Sequence, residues 1–334
     1  MALLVFAFGC QSLWAPSERF SYERLCMGVR TTITLYADSE VKARSAADAA
    51  FGRIAAIDAV ASDYRPESEA MQLCLKGQAV VSADLWNLLV AAQETWKRTQ
   101  GAFDVTLGPC VQLWRAARQT GKLPSEVELE AARRACGMEK VALDETTRRV
   151  RLLATGMRLD FGGIAKGYAA DAAAQELERA GHRHCLVALD GDVFAGAAPP
   201  GTQGWRVELH DGNRRWETLL VSHCAVSTSG AQQQRLTIRG KVYAHVVDPA
   251  TGLGATKMAT VHVVAPRGAS ADSYATAFSL LGPKRADPIV RELPRTAALF
   301  PSNTMFGSAV DRLDPENLLR FAPPAVESRP TSRP

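Results

Sequence analysis

No lysine or arginine block in this 334-residue chain runs longer than a pair, and the net charge is only +4. The electrostatic footprint of a nucleic-acid binder is therefore missing, although the balance suits a small anionic ligand. No G-x-G-x-x-G follows a strand and no G-x-x-x-x-G-K-[ST] occurs, which argues against an ordinary dinucleotide fold or a P-loop. Beyond the N-terminus no apolar run is long enough to span a bilayer, and no segment repeats. C-x-x-C pairs are also absent from the seven cysteines, Cys10, Cys26, Cys74, Cys110, Cys136, Cys185 and Cys224. Most sit among apolar neighbours, where a buried free thiol is the ordinary state. If Cys10 is lipidated, six remain, and spacing alone assigns no pairing.

What is present is a core. Hydrophobic residues make up 47% and charged residues 22%, the balance of a globular protein in one large domain or two intimately joined ones. The opening MALLVFAFGC resembles a bacterial lipoprotein cleavage site with Cys10 as the lipidated residue, but it is short and lacks a positive n-region. We read residues 1–22 as an export remnant or leader, 23–320 as the folded domain, and 321–334 (FAPPAVESRPTSRP) as a disordered tail.

Periodicity then places the elements. Thr31–Tyr36 alternates as a strand, and Ala47, Phe51, Ile54 and Ile57 share one face of the helix that follows. Ser62–Pro66 breaks the pattern as a loop. Ser82 is placed to cap a helix whose stripe is Leu85, Leu88, Leu89, Ala92 and Trp96, closed by Gly101. Residues 118–137 look like a polar helical excursion. Val150–Leu153, Cys185–Leu189, Trp205–Leu209, Leu219–Val226, Arg235–Arg239, Val242–Val247 and Val261–Val264 read as strands, with a tight hairpin at Arg239-Gly240-Lys241. A helix is expected from an N-cap at Ser270 to Leu281, ending at Gly282. Hairpins mixed with helices argue against regular βαβ winding, and the fold class expected is α+β with mixed or antiparallel sheets.

Residues 157–181, MRLDFGGIAKGYAADAAAQELERAG, run from an apolar segment through Asp160 and two glycines into a helix carrying Lys166 in its first turn. Free N–H groups at such a helix mouth favour an anion such as a phosphate. Read alone, the stretch is equally a tight strand-to-helix turn. A lysine sits against the unfavourable end of the helix dipole, so Lys166→Met is expected to leave the apo protein as stable or slightly more so.

Three further segments carry chemistry-bearing residues. His182-Arg183-His184-Cys185 has the residue types of a zinc site, but no Cys/His pair elsewhere has matching spacing, and histidines at a helix C-terminus also complement its dipole. In SADSYATAFSLLG, Asp272 and Thr276 fall at i and i+4, hard oxygen ligands of the kind magnesium takes, or simply an acid near a helix N-terminus. In YAHVVDPATG a strand delivers His245 to a turn, either as a base or as a half-buried polar residue.

Together and in order, CMGVRTTITLYA, SDYRPESE, TQGAFDVTLGP, LDFGGIAKGYAAD, STSG, HVVDPATG and SADSYATA resemble the ApbE family of flavin transferases, from about Met27 to near Phe300. The resemblance implies an enzyme dependent on magnesium (Mg2+) that cleaves the pyrophosphate of FAD. It would join FMN to a serine or threonine of a target flavoprotein, typically a subunit of a membrane-associated redox complex, and release AMP. By the same resemblance Asp160 and Lys166 contact FAD. Met27 and Tyr64 hold the flavin, with Tyr64 stacking on the ring. Ala102, Phe103 and Asp104 line the dinucleotide, and His245 and Val246 supply another edge. The metal would take the Gly163 carbonyl, Asp272 and Thr276, with His245 as candidate base and Lys166 and Asp272 beside the reacting phosphate. The implied location is the periplasmic face of the bacterial inner membrane, anchored through a lipid on Cys10.

The sequence departs from the family pattern in places. Cys74 stands where asparagine is usual, Asp190 begins what is commonly Gly-Gly-Asp, Ala250 replaces an arginine, and Ala231 follows STSG where an acid is frequent. Three rival functions follow: a pyrophosphatase giving FMN and AMP, a non-catalytic FAD-binding protein, and self-modification at Ser229-Gly230-Ala231. By the family resemblance Tyr64 favours transfer over hydrolysis, and the intact Asp272, Thr276 and Lys166 count against a non-catalytic module. In the third case Gln232 stands where an acceptor motif has a second hydroxyl residue.

Overall fold

The computed structural model of the chain describes residues 17–211, 214–230, 235–304 and 307–323. Cys10, most of the leader, Ala231, Gln232 and the tail beyond residue 323 lie outside the described residues.

Strands β1 (Glu18–Cys26) and β2 (Val29–Ala37) form a hairpin whose turn residues, Met27 and Gly28, both take positive φ, 49° and 75°. Paired positive φ matches the natural twist of antiparallel strands. Helix α1 (Glu40–Ala61) buries Ala47, Phe51, Ile54 and Ile57, the face its periodicity predicts. Next come α2 (Glu69–Lys76), β3 (Gln78–Val80) and α3 (Ala83–Arg98), the last begun by Ser82, whose hydroxyl accepts the Leu85 N–H at 3.2 Å. The expected 118–137 excursion resolves into the end of α4 (Gly108–Thr120), stopped by Gly121, and α5 (Glu126–Arg134), started by a Ser125/Glu128 capping box.

After β4 (Val141–Asp144) and β5 (Arg149–Leu152) the chain enters α6 (Ala165–Arg179), then β6 (Cys185–Leu189) and β7 (Asp192–Ala195). The stretch read as one strand, 219–226, is two: β8 (Trp205–Asp211) pairs with β9 (Arg214–Val221), and a turn at His223, φ 51°, starts β10 (Cys224–Ser229). Strands β11 (Leu236–Ile238) and β12 (Lys241–Tyr243) form the expected hairpin at Arg239-Gly240. The predicted strand 242–247 breaks after Tyr243. The Ala244 carbonyl accepts the Trp114 indole N–H at 3.2 Å, and the ladder resumes only at β13 (Val247–Asp248), paired with β14 (Leu253–Gly254).

The chain ends through β15 (Val261–Ala265), α7 (Gly268–Glu292), β16 (Ala297–Thr304) and β17 (Gly307–Leu313). Helix α7 begins at Gly268, so Ser270 lies inside its first turn rather than at the cap. Gly282, at φ 70° and ψ 171°, interrupts it where the helix was expected to stop, and a second helical segment continues beyond.

Eight strands form one sheet in the order β1-β2-β6-β7-β10-β15-β16-β17, every neighbouring pair antiparallel. Alternation divides its two faces. Ile33, Leu35, Val187 and Leu189 are fully buried against α1 and α6, each burial contributing ~1.5–3 kcal/mol. Val226, Val264 and Leu299 face the other way, onto Trp205, Leu209 and Leu219 of the β8–β9 ribbon. The architecture is α+β. It takes in residues 18–22, which were read as leader, and residues at the start of the tail, where Ala322 N–H bonds the Thr218 carbonyl at 2.8 Å. Among the described residues no helix is long and apolar enough to cross a membrane.

Two glycines bring α6 and α7 into contact at their N-terminal ends. A Cβ on Gly167 would lie 2.1 Å from the Gly268 carbonyl oxygen, and one on Gly268 would lie 2.2 Å from the Gly167 oxygen. Only two bare backbones fit there. The crossing fixes where Lys166 and Asp272 meet.

Candidate functional site

A cleft of about 880 Å³ opens beside that crossing. Every site residue expected from the sequence lines it except Met27: Tyr64, Ala102, Phe103, Asp104, Asp160, Gly163, Lys166, His245, Val246, Asp272 and Thr276 all face the same space. Met27 sits in the β1–β2 turn and packs on the core, while its neighbour Val29 reaches the cleft wall.

The polar floor is built by the two helices. Lys166 forms an ion pair with Asp192, and its Nζ lies 4.0 Å from Asp272 Oδ2. Asp272 also accepts the Gly167 N–H at 3.1 Å, and the Ser227 hydroxyl holds Asp192. Burial disfavours the Lys166 charge, but Asp272 and Asp192 outweigh it and hold the lysine above its ordinary pKa. Burial, with Asp192 close by, pushes Asp272 up to about 7 despite the lysine and the Gly167 N–H. Asp192 was not singled out by sequence reasoning; it belongs to the strand after the Asp190-Gly191 turn. Asp190 takes φ 54°, a conformation that aspartate tolerates better than most residues, so the departure from glycine there keeps the hairpin.

Thr276 stands one turn beyond Asp272 and faces Gly163: a Cβ on that glycine would come within 2.8 Å of Oγ1. One buried carboxylate, one hydroxyl and the Gly163 backbone thus share a corner. Among the described residues no group of three or more His, Cys, Asp or Glu side chains could hold a metal ion. The oxygen set fits an ion that keeps waters and borrows ligand oxygens, as magnesium does, and does not fit a preformed cage.

The same cleft also presents an aromatic ring. Tyr64, 75% exposed, projects from the loop after α1, and the Arg115 guanidinium carbon lies 4.2 Å from its ring centroid. Arg115 pairs with Asp63 and, at 3.2 Å, with Asp160. Burial and the nearby Asp63 raise the Asp160 pKa, opposed by the Gly162 N–H it accepts at 2.7 Å. Burial raises Asp104 as well, although Thr106 donates to it from both hydroxyl and backbone. His245 is half-buried on the irregular link between β12 and β13 rather than on a strand. Ala244 and Val246 on either side of it bond Ala255, which fixes the link.

The remaining candidates lie elsewhere. His182 and His184 bond the carbonyls of Tyr36 and Ala198 at 3.0 and 2.6 Å, and among the described residues they join no metal-holding group. Cys74, the departure from asparagine, still takes a polar role: its sulfur accepts the Leu159 N–H at 3.3 Å. Cys26, Cys74, Cys110, Cys136, Cys185 and Cys224 are all free thiols.

A model of the ApbE family matches residues 27–300. An FAD:protein FMN transferase of Treponema pallidum (strain Nichols) is 34% identical over 256 residues, covering 70% of this chain and 71% of that protein. One from Klebsiella pneumoniae (strain 342) is 26% identical over 304 residues, covering 86% and 87%. Among solved structures, the ApbE protein of Thermotoga maritima superposes with a TM-score of 0.79 at 25% identity, over 89% of this chain and 97% of that one. The flavin transferase ApbE from Vibrio cholerae gives 0.76 at 24% identity, over 89% and 97%, a likeness of fold.

Proposed function

The chain belongs to the ApbE family, and from that premise we propose that it is an FAD:protein FMN transferase acting on a serine or threonine of a target flavoprotein. The observation that carries the reading is the convergence of Lys166, Asp272, Thr276 and Gly163 at a crossing of two helix N-termini, on the floor of a cleft whose rim presents Tyr64. Lys166, beside the Gly162-Gly163 turn that leads into α6, suits the pyrophosphate, and an exposed tyrosine suits the isoalloxazine ring.

In the proposed reaction the acceptor hydroxyl oxygen forms a bond to the FMN phosphorus while the phosphorus–bridging-oxygen bond breaks. AMP leaves with the bridging oxygen. The hydroxyl proton passes to His245, an imidazole that lines the cleft from the link between β12 and β13. Lys166 stabilises charge gathering on the phosphates, held in place by Asp192. Asp272, Thr276 and the Gly163 carbonyl would hold magnesium, which when bound would neutralise pyrophosphate charge. We place the enzyme at the periplasmic face of the inner membrane, lipid-anchored at Cys10, with a redox-complex subunit as target.

The test is incubation with FAD, magnesium and a candidate acceptor domain, followed by intact mass and nucleotide analysis. Transfer gives one FMN adduct on the acceptor serine or threonine and one AMP per adduct. FMN and AMP accumulating in solution, with no adduct on any acceptor, would make the protein a pyrophosphatase. FAD bound without turnover would make it a carrier.

A further inference from the structure

Arg115 is carried by none of the motifs that mark the cleft, yet it touches three of the residues around the ring. Its guanidinium ties Asp63 to Asp160 and lies over Tyr64, the residue next to Asp63. Asp63 is held a second time through its backbone carbonyl, which accepts from Arg158 at 2.6 Å. Asp160, in turn, accepts the Gly162 N–H, at the start of the turn that leads into Lys166. One planar side chain thus spans from the ring at the rim to the segment that enters the helix mouth.

A tyrosine that is three-quarters exposed has little packing to fix its ring, and a freely rotating ring loses side-chain entropy when a ligand stacks on it. The Arg115 plane removes that freedom by covering one ring face. The two carboxylates hold the guanidinium at separate nitrogens, a fork that lysine, a single point charge, does not reproduce. A structural ion pair alone would need neither the second carboxylate nor the contact with an exposed ring.

We infer that Arg115 is a positioning residue for the flavin: it pins the Tyr64 ring and leaves only the opposite face open to the isoalloxazine of FAD. The inference rests on the proposed function, and it concerns the flavin half of the ligand alone. ADP, which has the pyrophosphate and adenosine without the flavin, is therefore the internal control.

The experiment measures FAD and ADP affinity by calorimetry, and flavin fluorescence quenching, for wild type, Arg115→Lys, Tyr64→Leu and the double variant. Arg115→Lys should weaken FAD about fivefold, the loss of one stacked contact, while ADP stays within about twofold and quenching falls. In the Tyr64→Leu background the same change should have no further effect on FAD. Equal losses for FAD and ADP would make Arg115 a structural ion-pair residue. Unchanged FAD affinity with wild-type quenching, or an equal loss with and without Tyr64, would also overturn the inference. Wild type that binds ADP but not FAD would overturn the functional reading, and this inference with it. Thermal melts establish folding, and Arg115→Gln carries the same comparison if Arg115→Lys is unstable.

Discussion

The Asp171 carboxylate accepts the Gly268 N–H at 2.6 Å, and with the Ala269 N–H at 3.2 Å it caps α7 from a different helix. No side chain of the local cap residue, Arg267, serves that end. Asp171→Ala leaves two buried N–H groups without an acceptor and should cost about 1–2 kcal/mol in urea unfolding. Burial pushes this carboxyl up to about 6 against those two donors. Below its ordinary value near 4 it is protonated in both states. As pH rises from about 4 through about 6 the unfolded chain ionises first, and the folded state loses stability. Asp171→Asn lacks that term. Its stability relative to wild type should rise by on the order of 2 kcal/mol between pH 4 and pH 7. A difference independent of pH would mean that Asp171 titrates at its ordinary value.

Lys166→Met is the second prediction, and the structure reverses the expectation drawn from the helix dipole. The lysine stands between Asp192 and Asp272, so its removal leaves two buried carboxylates facing each other. Asp272, raised to about 7 even beside the lysine, keeps its proton at neutral pH in the variant, so the apo protein should lose about 1–3 kcal/mol there, and more as pH rises and Asp272 ionises. FAD binding should fall as well. An apo melting temperature equal to or above that of wild type would show that the dipole term wins and the ion pair contributes little.

Gly167→Ala tests the helix crossing. The added methyl would meet the Gly268 carbonyl at 2.1 Å and the Asp272 Cβ at 2.8 Å, so α6 and α7 must separate. A loss of about 1–3 kcal/mol or more is expected, together with lost turnover, because the shift carries Asp272 away from Lys166. A variant with wild-type stability and rate would mean that the crossing gives way elsewhere.

Elements whose signals are local were legible in the sequence. Ser82 caps α3, the α1 stripe is buried as spaced, and Arg239-Gly240 makes the hairpin, because each depends on residues within a few positions. The motif order also named site residues that, Met27 apart, line one cleft. What escaped depends on partners distant in the chain. The cap on α7 comes from Asp171, Arg115 finds Asp63 and Asp160 across 52 and 45 residues, and Trp114 pulls Ala244 out of its strand across 130. Met27 was assigned to the site by its motif, yet the turn it occupies directs Val29 to the cleft.

The proposed metal site supplies the last prediction. Asp272 and Thr276 provide two side-chain oxygens, and Gly163 adds a carbonyl, too few to hold magnesium firmly before the ligand arrives. Calorimetry should therefore find weak magnesium binding to the apo protein and much tighter binding once FAD is present. Asp272→Asn keeps the side-chain shape and an oxygen for the Gly167 N–H, but removes the charge that attracts the ion. It should lose most FMN transfer and most magnesium dependence. Thr276→Val removes one neutral ligand and should do the same more mildly. Calcium should substitute poorly, since its longer bonds and looser geometry misplace the phosphates relative to the acceptor hydroxyl. A magnesium titration of FMN transfer in wild type and both variants, with calorimetry as the readout independent of turnover, decides the matter. If Asp272→Asn keeps the wild-type rate and the same magnesium midpoint, the ion is held elsewhere and the corner formed by α7 and Gly163 is structural.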